Sequence, residues 1–405
     1  MLGVGGERML IAVLVLLTLS VIVQLLIVEY LNVQDKHPIM TIPSHSLKTG
    51  LEANAEVGAE ARIEKGDIPN GNENSIKRED NKVEKQKSKV LNDLQLRDLE
   101  EILQAAQVKI TEDDRAKIPP KADVVEMYGS SPVILGLERC EEFRRNVNPE
   151  DAFIGPAGLF NTGTNLLLSL LTNNCHIPEK VKAHGPKSRG IRMQVPWGKH
   201  SPASWRLHHA APQQAGVNQT NFFPACIIKD PYTWMNSMCR HKYAANWTHN
   251  EKHCPNLVPL TKMDKRGANG GNTMPVRVRY SKVNVTYHES LAGLWNDWYS
   301  QWIDVTFPRL IIRFEDLLFH AEEVVGQVCT CGGGVMGDNF VYTEKSAKEG
   351  QVIHKGGNGL IKSLLTYGNK TQRVSVYRDP DLAYAEKTLK RDVMEMFHYE
   401  YPVLQ

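Results

Sequence analysis

In a chain of 405 residues, 48 lysines and arginines nearly balance 46 aspartates and glutamates, leaving a net charge of +2, and 41% of the residues are hydrophobic. Those figures exclude a globally basic nucleic-acid binder and a chain disordered throughout, and they leave length for one substantial folded domain. All seven cysteines lie from Cys140 onward, so that domain is sought in the later part of the chain.

Residues 1–8 form a short tail, and Met9 to Val28 is an apolar run broken only by Thr18, Ser20 and Gln24. About 20 such residues cross a bilayer as one helix, so residues 9–28 read as an uncleaved anchor. A signal peptide is the competing reading, but the run exceeds a usual h-region and no clear small-residue cleavage site follows. Glu7 offsets Arg8, so orientation rests on the later chain, where the cysteines and the sequons at Asn218, Asn246, Asn284 and Asn369 suit a lumenal domain and a single-pass type II topology.

Residues 29–120 read as a stem, polar and free of cysteine from Asn32 to Pro120, with charges of both signs crowded into Ser75–Lys89. Within 83–106, Val90, Leu91, Leu94, Leu96, Leu99, Ile102 and Leu103 have the spacing of an amphipathic helix, which either pairs stems into a homodimer or docks on the folded part. Pro119 and Pro120 close the stem, leaving residues 121–405 as the catalytic domain.

Asp151 to Asn174, DAFIGPAGLFNTGTNLLLSLLTNN, reads as a short apolar strand, a glycine turn and an amphipathic helix. That order builds an anion cradle: Gly158 and Gly163 allow a tight turn, and the N–H groups opening the helix favour a phosphate or sulfate ester beside Thr162 and Thr164. Gly158 and Gly163 have Walker A spacing, but Thr164 and Asn165 stand where a nucleoside triphosphatase needs Lys and Ser/Thr. Phe222 to Tyr243 repeats the pattern: Ala225–Ile228 is a short buried strand, Asp230 caps a helix opening at Pro231, and Lys229 and Ser237 fall on one rim of a parallel sheet, where they can hold a second anionic group. Short β-rich runs at Ile191–Val195, Ala225–Ile228 and Leu310–Ile312, alternating with helical segments, predict an α/β fold: a parallel β-sheet flanked by helices with a P-loop-like turn, ligands lying at the carboxyl ends of the strands.

NTGTNLL and KDPYTWMNS resemble the two signatures of the sulfotransferase family, which draws its sulfuryl group from 3′-phosphoadenosine 5′-phosphosulfate (PAPS). SLAGLWNDWYSQW (Ser290–Trp302), RLIIRFEDLLFHAEEVV (Arg309–Val325) and His354-Lys355-Gly356-Gly357-Asn358-Gly359 are similar to further family segments in the family's order. The resemblance implies the sulfotransferase fold, with Asn161, Thr162, Gly163, Thr164 and Asn165 around the 5′-phosphosulfate and Lys229, Ser237, His354, Lys355 and Gly356 around the 3′-phosphate. It also implies His200, in Gln194–Pro202, as general base with Lys199 beside it; His184, His208 and His209 are rivals. No metal is required. The implied activity is transfer of a sulfuryl group from PAPS to an acceptor hydroxyl, on a carbohydrate, by an enzyme anchored in the Golgi membrane. Asn161 departs from the family's Lys or Arg, which passes leaving-group stabilisation to Lys199, helix amides or Lys187.

Other patterns have plainer readings. Trp295, Trp298 and Trp302 recur at helical spacing as core residues, Cys239 and Cys254 are spaced for a local disulfide, Cys226 sits on a core strand as a buried thiol, and Cys329-Thr-Cys331 lacks the second pair of a zinc site. Asp379-Pro380-Asp381 matches the D-x-D of metal-dependent glycosyltransferases, the main alternative, yet also reads as an ordinary helix start. A third reading is a catalytically degenerate nucleotide-binding homologue. Asn246 to Tyr287 shows no pattern that identifies the acceptor.

Overall fold

The computed structural model describes residues 98–209, 216–250, 252–344 and 359–402, all within one compact unit, Asn72–Gln405. The expected anchor at 9–28, the stem before Asp98 and the His354-Lys355-Gly356 segment lie outside the described residues.

The strands are β1 (Ile134–Leu135), β2 (Phe153–Gly158), β3 (Cys175–His176), β4 (Phe222–Ile228), β5 (Ala245–Asn246), β6 (Val276–Arg279), β7 (Val285–His288), β8 (Leu310–Arg313) and β9 (Val335–Met336). The helices used below are α1 (Leu99–Ala105), α2 (Thr164–Asn174), α3 (Pro231–Arg240), α4 (Leu291–Asp304), α5 (Ala321–Cys331), α6 (Gly359–Tyr367), α7 (Lys370–Val374) and α8 (Asp379–Thr388).

The central sheet has the order β1-β8-β4-β2, with β2, β4 and β8 parallel and β1 antiparallel at one edge. Every residue of β4 and β8 is buried, as expected of parallel strands covered by helices on both faces. Strand β4 begins before the expected Ala225 and runs through Pro224; its pairing with β8 starts at Ala225, so the proline borders one neighbouring strand only, a position it tolerates. The register sets Gly158 opposite Ile227 and Ile228 opposite Arg313, so the three parallel strands end on one edge.

The expected strand at Ile191–Val195 does not form. It is reduced to one parallel bridge, Ile154 to Ile191, and Pro196 and Gly198 turn the chain before a ladder extends. The segment still follows β2, since Val195 N donates to Pro156 O (3.3 Å) and Gly158 N to Lys199 O (2.7 Å).

Residues 245–288 hold a second sheet, β5-β6-β7, where Val276 and Val278 point to the core and Arg277 and Arg279 to solvent. Helix α1 buries Leu99, Ile102 and Leu103 and packs against α6, so the end of the sequence-defined stem docks on this domain. Asp379 does open a helix, α8, and a second helix, Arg391–Met396, follows after a break at Leu389 and Lys390.

Three disulfides, Cys140–Cys331, Cys175–Cys329 and Cys239–Cys254, use six cysteines. The Cys-Thr-Cys pattern thus ends α5 with two separate staples instead of a metal site. Cys226 is a free buried thiol whose pKa burial pushes well above the ordinary value.

Candidate functional site

The first cradle opens where β2 stops. A Cβ on Gly158 would meet Thr162 Oγ1 at 2.5 Å and Ile227 O at 2.9 Å, and one on Gly163 (φ +85°) would meet the Phe314 ring at 2.5 Å. Both positions therefore require glycine. Gly163 caps α2 without a side-chain acceptor, leaving the first N–H groups of the helix for an external anion.

The loop side chains are less directly aimed than expected. Thr162 is buried and its hydroxyl donates to Leu159 O (2.7 Å), so its contribution to the cradle is confined to the backbone. Asn161 adopts a left-handed φ of 63°, which asparagine tolerates better than lysine or arginine. Its amide donates to His241 O (2.7 Å) and Ser237 O (3.4 Å), capping the last turn of α3. Asn161 thus ties the two motifs together through its side-chain amide. Lys199 does approach the loop, its Nζ donating to Asn165 Oδ1 (2.8 Å) at the N-terminus of α2, whereas Lys187 is exposed on a separate loop.

His200 lies at the same edge. Its Nδ1 is 2.7 Å from Gly158 O; a carbonyl only accepts, so Nδ1 carries the proton and Nε2 is the basic nitrogen of the neutral ring. Its ring packs on Phe160 with centroids 4.8 Å apart. The rivals are placed differently: His184 is exposed at the end of the helix Pro178–His184, and His208 and His209 close a turn beyond Trp205.

The second motif folds as its spacing implies. Asp230 Oδ1 accepts from Thr233 N (2.9 Å), Pro231 occupies the first helical position, and Lys229 Nζ reaches Ser237 Oγ (3.0 Å). Both side chains are buried, Lys229 at 1% exposure and Ser237 at 4%. Lys229 also donates to the Tyr367 hydroxyl (2.8 Å) and lies over the Phe314 and Tyr367 rings. Although burial alone raises a phenol's pKa, the Lys229 ammonium holds Tyr367 below its ordinary value, with the Arg240 charge helping. Tyr367 was not legible as a site residue, being 138 positions from Lys229. Arg240 is exposed, with Nη2 3.4 Å from Ser237 Oγ, and continues this basic group to the surface.

Beneath Lys229 is a buried charge network. Asp230 Oδ2 accepts Nε (2.8 Å) and Nη2 of Arg373, which α7 supplies. Glu315 accepts from Asp230 N (3.2 Å) and from the Tyr399 hydroxyl (2.9 Å). Burial, reinforced by the Asp230 carboxylate, pushes the Glu315 carboxyl up to about 7.

Three indoles fasten the site segments from behind. Trp234 Nε1 donates to Phe160 O (2.8 Å), Trp295 to Lys229 O (3.0 Å) and Trp298 to His200 O (3.2 Å). The helical tryptophan stripe is core, and through Trp295 and Trp298 it also fixes the backbone at Lys229 and His200.

Asp381 is wholly buried and accepts from Leu257 N (2.7 Å), Val258 N (3.3 Å) and His253 (3.2 Å), so this half of the D-x-D pattern is committed to tying α8 to the 253–258 loop. Among the described residues no cluster of three or more metal-ligating side chains occurs. Comparison with protein-family models finds no match, and neither does comparison with curated proteins.

Proposed function

We propose that the chain is a sulfotransferase that moves the sulfuryl group of PAPS to a carbohydrate hydroxyl, held in the Golgi membrane by residues 9–28. The observation that carries this reading is the convergence of two anion motifs and a histidine at the carboxyl edge of β2 and β4, with Asn161 bonded directly to His241 at the end of the second motif. The amides opening α2 and Lys199 take the 5′-phosphosulfate; Ser237, Lys229 and Arg240 form the basic patch for the 3′-phosphate.

In the reaction, the acceptor oxygen bonds to sulfur as the bond from sulfur to the bridging phosphate oxygen breaks, and the electron pair leaves on that oxygen. The acceptor proton passes to Nε2 of His200, whose Nδ1–H is held by Gly158 O. Lys199, ahead of the helix amides, balances the charge that gathers on the leaving oxygen.

The degenerate-homologue reading has one observation in its favour, the commitment of the Asn161 amide to α3. Incubating the detergent-solubilised full chain with radiolabelled PAPS, mixed glycans and a tyrosine peptide, with and without chelator, decides among the readings. Chelator-insensitive labelling of a glycan is expected. Binding of PAPS with no transfer to any acceptor favours the degenerate homologue, and metal-dependent transfer in a parallel incubation with labelled sugar nucleotides favours the glycosyltransferase.

A further inference from the structure

The donor loop carries one aromatic residue, Phe160, and it is the centre of a ring stack. Tyr243 stacks on it with centroids 5.7 Å apart and planes 13° apart, and Tyr280 stacks at 6.2 Å and 28°. Trp205 extends the row by an edge contact to Tyr280 at 5.0 Å, and His200 touches its inner end through Phe160. Phe160 is buried, whereas Tyr243, centred 6.5 Å from the His200 ring, is 46% exposed.

Two features make Tyr243 more than an unburied core residue. Its φ is +49°, a left-handed conformation uncommon for a bulky residue. Such strain persists only where the surroundings over-determine it, and it gathers at ligand sites. Its loop is also held from both sides: Asn161 bonds to His241 O, and Ala245 N donates to Lys242 O (3.0 Å). The donor loop therefore positions this ring through its own asparagine.

We propose that Tyr243, backed by Phe160, Tyr280 and Trp205, is the acceptor platform, and that it takes the apolar face of a pyranose ring whose hydroxyl is thereby brought to His200. The proposal rests on the sulfotransferase reading for the identity of the reaction, but the platform itself is a binding claim. A half-exposed ring flanked in the chain by His241 and the exposed Lys242 suits a ligand with one apolar face and hydroxyls at its rim. A small apolar phenol gains more from an enclosed cavity.

The test measures binding and turnover separately. Wild type, Tyr243→Phe, Tyr243→Trp and Tyr243→Ala are titrated with maltohexaose, chitohexaose and lacto-N-tetraose by saturation-transfer NMR, and with 3′,5′-bisphosphate by calorimetry. At least one oligosaccharide is expected to bind wild type, Phe and Trp alike and to lose about tenfold or more in affinity with Ala, while bisphosphate affinity stays unchanged. In transfer assays the loss falls on acceptor KM and leaves kcat largely intact. Failure of all three sugars to bind wild type, or equal loss with Phe and Ala, overturns the platform. If bisphosphate fails to bind wild type while an oligosaccharide shows the Tyr243 dependence, the platform stands and the sulfotransferase reading falls.

Discussion

Replacing Glu315 by glutamine should remove a pH dependence that is set beneath Lys229. The carboxyl is wholly buried against Asp230 N and the Tyr399 hydroxyl. Its pKa rises from 4.5 to about 7, a gap equivalent to about 3 kcal/mol. The folded state holds this proton more tightly than the unfolded chain, so between those two values unfolding releases it. The contribution is complete below 4.5, declines as pH rises, and is gone above about 7. Glutamine copies the protonated acid: its oxygen accepts from Asp230 N and its amide faces Tyr399. The variant should therefore match wild type near pH 5 and exceed it by about 3 kcal/mol near pH 8. Urea unfolding followed by tryptophan emission across that range gives both profiles. Parallel profiles for the two proteins would refute the assignment of the raised pKa to Glu315.

Removing the imidazole in His200→Ala should lower single-turnover transfer about a hundredfold or more while calorimetric bisphosphate affinity is retained; near-normal turnover would transfer the role to another base. Ser237→Ala should weaken the 3′,5′-bisphosphate by about 1.5 to 3 kcal/mol and leave an analogue lacking the 3′-phosphate unaffected, and equal losses would remove the 3′-phosphate assignment. Lys229→Ala should show the same ligand preference but also a lower Tm, because it empties a buried position between two rings. Asn161→Ala should reduce stability by about 1 kcal/mol and raise acceptor KM more than donor KM, with Asn161→Lys no better, whereas Lys199→Ala should lower the transfer rate.

Local chemistry was legible in the sequence, and long-range chemistry was not. Asp230, Pro231 and the Lys229–Ser237 spacing act within one helix and its cap, so strand, cap and side-chain pairing follow from a short stretch of chain. Cys239–Cys254 closes a short loop and was legible for the same reason, whereas Cys140–Cys331 spans 191 positions. The contacts that change the reading join distant elements: Tyr367 onto Lys229, Arg373 onto Asp230, Tyr399 onto Glu315. Ile191–Val195 has the composition of a strand, but sheet formation depends on the partner edge as much as on the residues, and Pro196 ends the run. Asn161 stands where the sulfotransferase family it resembles carries Lys or Arg, and its left-handed backbone turning the amide toward α3 is a tertiary feature that a local motif does not show. The Val276-Arg-Val-Arg alternation, by contrast, was available as a strand signal within a region that showed no functional pattern.

The three indole hydrogen bonds have an optical consequence. Of the chain's seven tryptophans, Trp234, Trp295 and Trp298 each hold a carbonyl of a different site segment. A ligand that tightens the Phe160 loop, the Lys229 turn or the His200 segment alters the polarity felt by one indole more than by the other two. The protein is in this sense its own dye, and single Trp→Phe replacements would sort its intrinsic emission into three channels, one for each segment that a ligand moves.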